Sequence, residues 1–254
     1  NTTNRGAHPK TIMQQLKASW WFVTCFAAVY GQNWVQIPGG LKHVSASVNY
    51  IWGVNAADQI YRCPNPCSGE WVQIPGGLKQ IDAGDMEVWG VNSNDDIFKR
   101  KVDGSGLWTQ LPGKLKHVSA SGNGYIWGVN SNDDIFKCKK PCTGGWIHVS
   151  GKLKQIDGGY DRVYGVNSNN DIFTLPVDGS GSWRHIPGKL KHVSASGTHS
   201  VFGTGPDDTI WRCRKPCVGE WEKINGALKQ CDATINGLYG VNSGDNIFRS
   251  ALGL

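Results

Sequence analysis

The chain has 254 residues, 39% hydrophobic and 18% charged, enough apolar material to bury a core and too much for a disordered chain. Its 26 Lys and Arg against 20 Asp and Glu leave a net charge of +6, scattered along the sequence, which argues against the phosphate-neutralising stripe of a nucleic-acid clamp. Thirty-four glycines and 12 Trp beside only 2 Met argue against a helical bundle and for short strands joined by tight turns.

The first recognisable segment runs from Met13. A short basic stretch to Lys17, an apolar run from Ala18 to Tyr30 and the small exit residue Gly31 have the form of a secretory signal peptide. The run is shorter than the ~20 residues that span a bilayer, and no other stretch approaches it, so no membrane insertion is expected. Residues 1–31 are therefore expected to be an upstream segment and signal peptide, and 32–254 a single secreted domain. An N-terminal strand or helix retained in the mature protein is the alternative. Arg5, Lys10 and Lys17 lie in this segment and no acid does, so 23 basic against 20 acidic residues remain beyond it.

From there the sequence repeats. Leu-Lys-His or Leu-Lys-Gln begins at Leu41, Leu78, Leu115, Leu153, Leu190 and Leu228, with spacings of 37, 37, 38, 37 and 38 residues. Each unit continues through a phrase like Tyr125-Ile-Trp-Gly-Val-Asn130, then Asp-Asp-Ile-Phe, then Trp-x-x-Ile-Pro-Gly. Every phrase is strand-length, β-branched or aromatic, and bounded by Gly, Asn, Ser or Asp, which predicts four short strands per unit. The sixth unit stops after Asn246-Ile-Phe248 and lacks the Trp strand, while residues 32–40 are that strand with no unit before it. A chain whose missing last strand sits at its own beginning suits a closed ring without a frayed edge. The expected fold is all-β, a six-bladed propeller of four-stranded blades closed by the N-terminal strand. A second period overlies the first: units one, three and five carry His and a Cys pair, and units two and four carry Gln-Ile-Asp and the loop Val-Asp-Gly-Ser-Gly. The ring is thus a trimer of blade pairs.

Six of the eight cysteines form Cys63-Pro-Asn-Pro-Cys67, Cys138-Lys-Lys-Pro-Cys142 and Cys213-Arg-Lys-Pro-Cys217. Each pair follows an Ile-aromatic strand and precedes a Trp strand, so three local disulfides at hairpin feet are expected, in keeping with secretion. Zinc is the rival, but no unit supplies a His pair at finger spacing. Cys231 replaces the Ile81 and Ile156 of its sister units and reads as a small buried hydrophobe, with an intermolecular bridge as the alternative.

Catalysis needs a unique cluster, whereas the repeats supply copies. His43, His117 and His192 recur at one strand position, as Gln80, Gln155 and Gln230 do in the partner units, which suits a structural or rim role. Nucleophile elbow, phosphate loop and His-Glu-x-x-His are all missing, so no enzyme, no cofactor and no metal is expected. Asp95, Asp96, Asp133 and Asp134 fall in strand-joining turns, where backbone conformation alone favours them; a weak Ca²⁺ site is the alternative. Aromatics and amides repeated at loop ends are tools of sugar recognition, since a ring face stacks on a pyranose and amides bond its hydroxyls. The candidates are Trp52 and Asn55, Trp89 and Asn92, Trp127 and Asn130, Tyr164 and Asn167, and Tyr239 and Asn242. Alternation puts Trp89 on the same face as Val91, so the aromatic is equally readable as inter-blade core, with the strand-end Asn freer. On that reading Asn130→Ala weakens sugar binding and leaves melting almost unchanged. Unit five has Gly205 where its sisters have Asn, which predicts a weakened site there. Lys139, Lys140, Arg214 and Lys215 lie in the Cys-bounded tips, placed to meet phosphate or acidic sugar or simply to be solvated.

The phrases VWGVNSNDDIF, CKKPC, VDGSGSW and LKQCDA resemble the tectonin-repeat lectins, most closely the tachylectin-like lipopolysaccharide-binding lectins, with fish-egg lectins more distant. The resemblance covers 32–254. It implies a secreted or granule-stored multivalent lectin of innate immunity that agglutinates bacteria through lipopolysaccharide or N-acetylglucosamine-type sugars, without enzyme activity. Its expected partners are bacterial lipopolysaccharide and surface glycans, not nucleic acid; a homo-oligomer or association with other defence proteins is left open. A propeller scaffold for protein–protein interaction is the alternative function.

Overall fold

The computed structural model describes residues 33–250 except 121, 196–198 and 236. The upstream segment and signal peptide expected over 1–31, with Cys25, lie outside the described residues. The described residues form 24 strands in six four-stranded antiparallel sheets, five of them each one sequence unit and the sixth combining the last unit with the first strand. In blade three the inner strand is His117–Ser119, followed by Tyr125–Val129, Asp134–Lys139 and the outer strand Ile147–Lys152. Inner-to-second and third-to-outer turns emerge on one face of the ring. Second-to-third turns and the connections between blades emerge on the other.

Closure follows the sequence expectation. Blade six supplies Gln230–Thr234, Gly237–Val241 and Asn246–Ser250, and its outer strand is Val35–Gly40 from the other end of the chain. Val35 faces Arg249, Gln36 faces Phe248 and Ile37 faces Ile247 in antiparallel register. A side-chain girdle runs around the same outer strands. The indole N–H of Trp71 donates to Pro38 O of the preceding blade at 2.9 Å, and Trp108, Trp146, Trp183 and Trp221 repeat the bond one blade on. Trp34 completes the circle by donating to Asn225 O of blade five at 2.6 Å.

The core lies between blades, in six clusters, each built from the second-strand aromatic or aliphatic residues of one blade and the facing strands of the next. Trp89 and Val91 share one cluster while Val88 faces the other way into its neighbour, as alternation requires. The Leu-Lys and Gly-Val phrases recur together because they touch. A Cβ on Gly128 would lie 2.4 Å from Leu115 Cδ1 and 3.0 Å from His117 O, so only glycine lets the leucine plug that end of the blade. Likewise Gly39 sits at φ 123° with Trp71 Nε1 3.1 Å from where a Cβ would be.

Ile37, 1% exposed, carries the closure strand into the cluster with Leu41, Tyr239 and Ile247. Ile37→Ala is expected to cost about 2–5 kcal/mol, read as a lower urea midpoint at unchanged slope.

Candidate functional site

The paired aromatics and asparagines named from sequence part company in the structure. Trp52, Trp89 and Trp127 are fully buried, and Tyr164 and Tyr239 are 1% and 3% exposed. Their faces are covered by the next blade, so they are core and offer no sugar a stacking platform. Each of three is tied to a neighbouring loop. Trp52 Nε1 donates to Val102 O at 3.0 Å and Trp127 Nε1 to Val177 O at 3.1 Å, in the Val-Asp-Gly-Ser-Gly loops of blades two and four. Tyr239 Oη donates to Asn65 Oδ1 at 2.7 Å, inside the Cys loop of blade one. Trp52 and Trp127 also meet Trp108 and Trp183 edge-on, at 6.3 and 6.4 Å between ring centroids.

The asparagines organise turns. Asn130 Oδ1 accepts from the backbone N–H of Asn132 at 3.0 Å and of Asp134 at 2.9 Å, and its Nδ2 donates to Asp134 Oδ2 at 3.1 Å. Asn92 and Asn167 repeat all three bonds, Asn55 does so with Gln59 as side-chain partner, and Asn242 makes the two backbone bonds. The turn needs this hub because its fourth residue is left-handed: Asp58, Asp95, Asp133, Asn170, Asp208 and Asp245 have φ between 62° and 66°. Those aspartates also pair with the lysine of the Leu-Lys phrase, as in Lys116–Asp133 and Lys42–Asp58.

Blade five breaks the pattern. Gly205 replaces the hub, and Asp207 Oδ1 substitutes by accepting from Thr209 N at 3.3 Å and Thr209 Oγ1 at 2.5 Å. Where blades two, three and four have Asp and Phe, this blade has Thr209 and Trp211, whose Nε1 donates to Thr209 Oγ1 at 2.9 Å. The space beside the turn is then a groove of about 420 Å³ lined by Lys189, Pro206, Asp207, Thr209, Trp211 and Trp221. Both indoles are only half-buried. The blade expected to be weakened thus carries an aromatic-walled groove.

On the opposite face the three disulfides form as expected, with Cα–Cα distances of 5.5, 5.3 and 5.4 Å. Cys231 is free and buried, and burial pushes its thiol pKa well up. Lys140 and Lys215 fold back from the tips onto Ala120 O and Ala195 O at 3.0 and 2.9 Å, and burial lowers both ammonium pKa values. Lys139 and Arg214 stay exposed. Lys140 and Pro141 border a second groove of about 440 Å³ with Asp85, Met86, Glu87 and the edge of Trp89.

Comparison with known proteins now adds the family. The model of the tectonin domain matches residues 24–180 and 146–253. The chain belongs to the tectonin family. This tectonin is 65% identical over 219 residues to Lectin L6 of Tachypleus tridentatus, an alignment covering 86% of this chain and 99% of that protein. Among solved structures, a chain of the mitotic checkpoint complex matches with TM-score 0.63 at 10% identity, covering 99% of both chains. Human WBSCR16 matches with TM-score 0.57 at 10% identity, over 82% of this chain and 70% of that one. At such identities the likeness shows the fold alone.

Sequence reasoning passed over Trp211 and Trp221 because they look like strand aromatics; the signal was the departure of blade five from its sisters at positions 205, 209 and 211, beside a Trp221 whose equivalent every blade carries. The geometry also reverses one mutational expectation. Asn130→Ala leaves two turn amides without their acceptor and is expected to destabilise the tectonin fold by about 1–3 kcal/mol. Trp127→Ala is expected to cost roughly 3–5 kcal/mol. Thermal and urea unfolding of the two variants check both.

Proposed function

We propose that this tectonin is a secreted carbohydrate-binding lectin that recognises bacterial lipopolysaccharide or N-acetylglucosamine-type sugars in innate defence. The observation that carries the reading is the 65% identity to a lectin over nearly the whole of that protein. A binding role, not catalysis, suits a tectonin-domain chain that is similar to a lectin over most of its length. Three disulfides, stable in oxidising compartments, support secretion and a signal peptide ahead of residue 32.

The proposed sugar-binding position is the groove of blade five. Trp211 and Trp221 present indole surface for the apolar face of a pyranose, and Asp207, Thr209 and Lys189 ring it with an acceptor, a hydroxyl and a cation. The lysine suits the phosphate or carboxylate of a lipopolysaccharide core. The groove at Met86, Glu87 and Lys140 lies on the other face and would meet a different surface, so avidity on a bacterial surface that repeats one sugar would come from association of rings that present their blade-five grooves together.

Rewriting blade five in the idiom of its sisters tests the position without foreign residues. The triple variant Gly205→Asn, Thr209→Asp, Trp211→Phe is expected to fold, judged by circular dichroism, and to lose at least tenfold in retention on lipopolysaccharide or N-acetylglucosamine beads. Wild-type retention with an unaffected variant moves the site elsewhere. If the wild type is retained no better than albumin, or captures a protein partner insensitive to sugar, the lectin reading fails.

A further inference from the structure

The repeats bring together on the ring axis three residues that lie 74 and 75 positions apart in sequence. His43, His117 and His192 extend from the inner strands of blades one, three and five, and their rings stand edge to face at centroid separations of 6.3, 6.1 and 6.2 Å. One nitrogen from each lies within 4.8 Å of those of the other two. All six ring nitrogens are sealed from solvent and have no hydrogen-bond partner. A buried imidazole normally bonds through at least one nitrogen, so three rings left wholly unpartnered around one point call for an explanation.

The alternate blades show that the position has another solution. There Gln80, Gln155 and Gln230 turn sideways and bond the backbone of the next inner strand, as when Gln80 accepts from Val118 N at 3.0 Å and donates to Val118 O at 2.9 Å. Those glutamines satisfy the neighbouring backbone, so histidine is not needed for it and projects to the axis instead. Burial, reinforced by the neighbouring histidines and by nearby lysines, lowers the pKa of His43 and of His117 to about 3 and that of His192 well below its usual value, which leaves imidazole lone pairs available.

We propose that His43, His117 and His192 together bind one divalent transition-metal ion of the Zn²⁺ class on the propeller axis. Three neutral nitrogens suit zinc and its borderline neighbours and not the oxygen-seeking Ca²⁺ or Mg²⁺. Zinc–nitrogen bonds of about 2.0–2.1 Å need ligand atoms roughly 3.4 Å apart, so the rings close slightly inward on binding.

The surrounding charge tolerates a dication. On one side of the histidines stand Lys42, Lys79, Lys116, Lys154, Lys191 and Lys229; all but Lys154, which bonds Asn170 at 2.5 Å, are paired with an aspartate. Two residues along the alternate inner strands on the other side lie the buried carboxyl groups of Asp82, Asp157 and Asp232. The ion would link blades one, three and five across the axis and raise stability by mass action. The assignment revises the sequence expectation of no metal, which rested on local ligand spacing; here the ring, not a local motif, supplies the spacing.

The test uses the full secreted chain stripped with EDTA. Titration with Zn²⁺ followed by calorimetry is expected to give one site per chain and a higher melting temperature, and Co²⁺ is expected to give the visible bands of a four-coordinate nitrogen-rich centre. His43→Gln, His117→Gln and His192→Gln each place at the axis the residue that alternate blades already use. Each is expected to fold in EDTA and to weaken binding by more than the roughly 10–100-fold that loss of an outer-shell partner costs. His185→Gln, on the exposed surface, should bind like wild type. Absence of a one-to-one site in the wild type, or full binding by all three axial variants, overturns the proposal. So does loss of the site in His185→Gln alone. Metal binding is read directly by titration, and His43 and His117 lie outside blade five, so none of these outcomes depends on whether the protein binds sugar.

Discussion

The fold depends on one antiparallel pairing, that of Val35–Gly40 with Asn246–Ser250. Each blade buries its second-strand aromatic only against the next blade, so an open chain of six units would close five interfaces and leave one bare. The pairing supplies the sixth, in which Ile37, Leu41, Tyr239 and Ile247 meet, and also positions Trp34 to complete the girdle at Asn225. It removes two exposed sheet edges in the same step. Backbone hydrogen bonds set the register, and apolar burial between blades makes it worth holding.

Around the axis, six-fold repetition gives way to three-fold alternation for an electrostatic reason. The inner strands carry Ser45, Asp82, Ser119, Asp157, Ser194 and Asp232 in turn, all buried. Each carboxylate accepts from the backbone of the following odd blade, as Asp232 Oδ2 does from Ala46 N at 2.8 Å, and serines sit between carboxylates, with Ser45 Oγ 2.9 Å from Asp232 and 3.0 Å from Asp82. Six aspartates there would repel one another, whereas six serines would leave backbone donors short of acceptors. Three of each satisfies the amides at half the charge. Even so, burial and the charges of Asp82 and Asp232 hold the Asp157 pKa well above the ordinary carboxylate range, which favours a proton shared within the ring.

Most of this architecture was legible before any coordinates, and the reason is the periodicity itself. A phrase such as Trp-x-x-Ile-Pro-Gly recurs because indole, proline carbonyl and left-handed glycine form one contact between blades, and the displaced copy at Trp34 discloses the closure. The site was less legible. Trp127 and Asn130 repeat for structural reasons, the one as inter-blade core and the other as the hub of a left-handed turn, and repetition alone does not distinguish a ligand contact from a fold requirement. The axial histidines were visible as a period, but their convergence is a property of the ring and of no local stretch of sequence.

Departures from the repeat are therefore more informative than the repeat. Phe202 stands where blades one and three have Trp52 and Trp127, and like them it is buried as inter-blade core. The second-to-third turn of the same blade departs further. Asn at position 205 would serve the turn as it does in five sisters, yet the chain uses Gly205 with Asp207 as substitute and replaces Phe with Trp211 beside it. Trp211 packs against the core cluster of its blade and bonds Thr209 Oγ1, and the indole surface it leaves open is what the proposed sugar-binding groove would use.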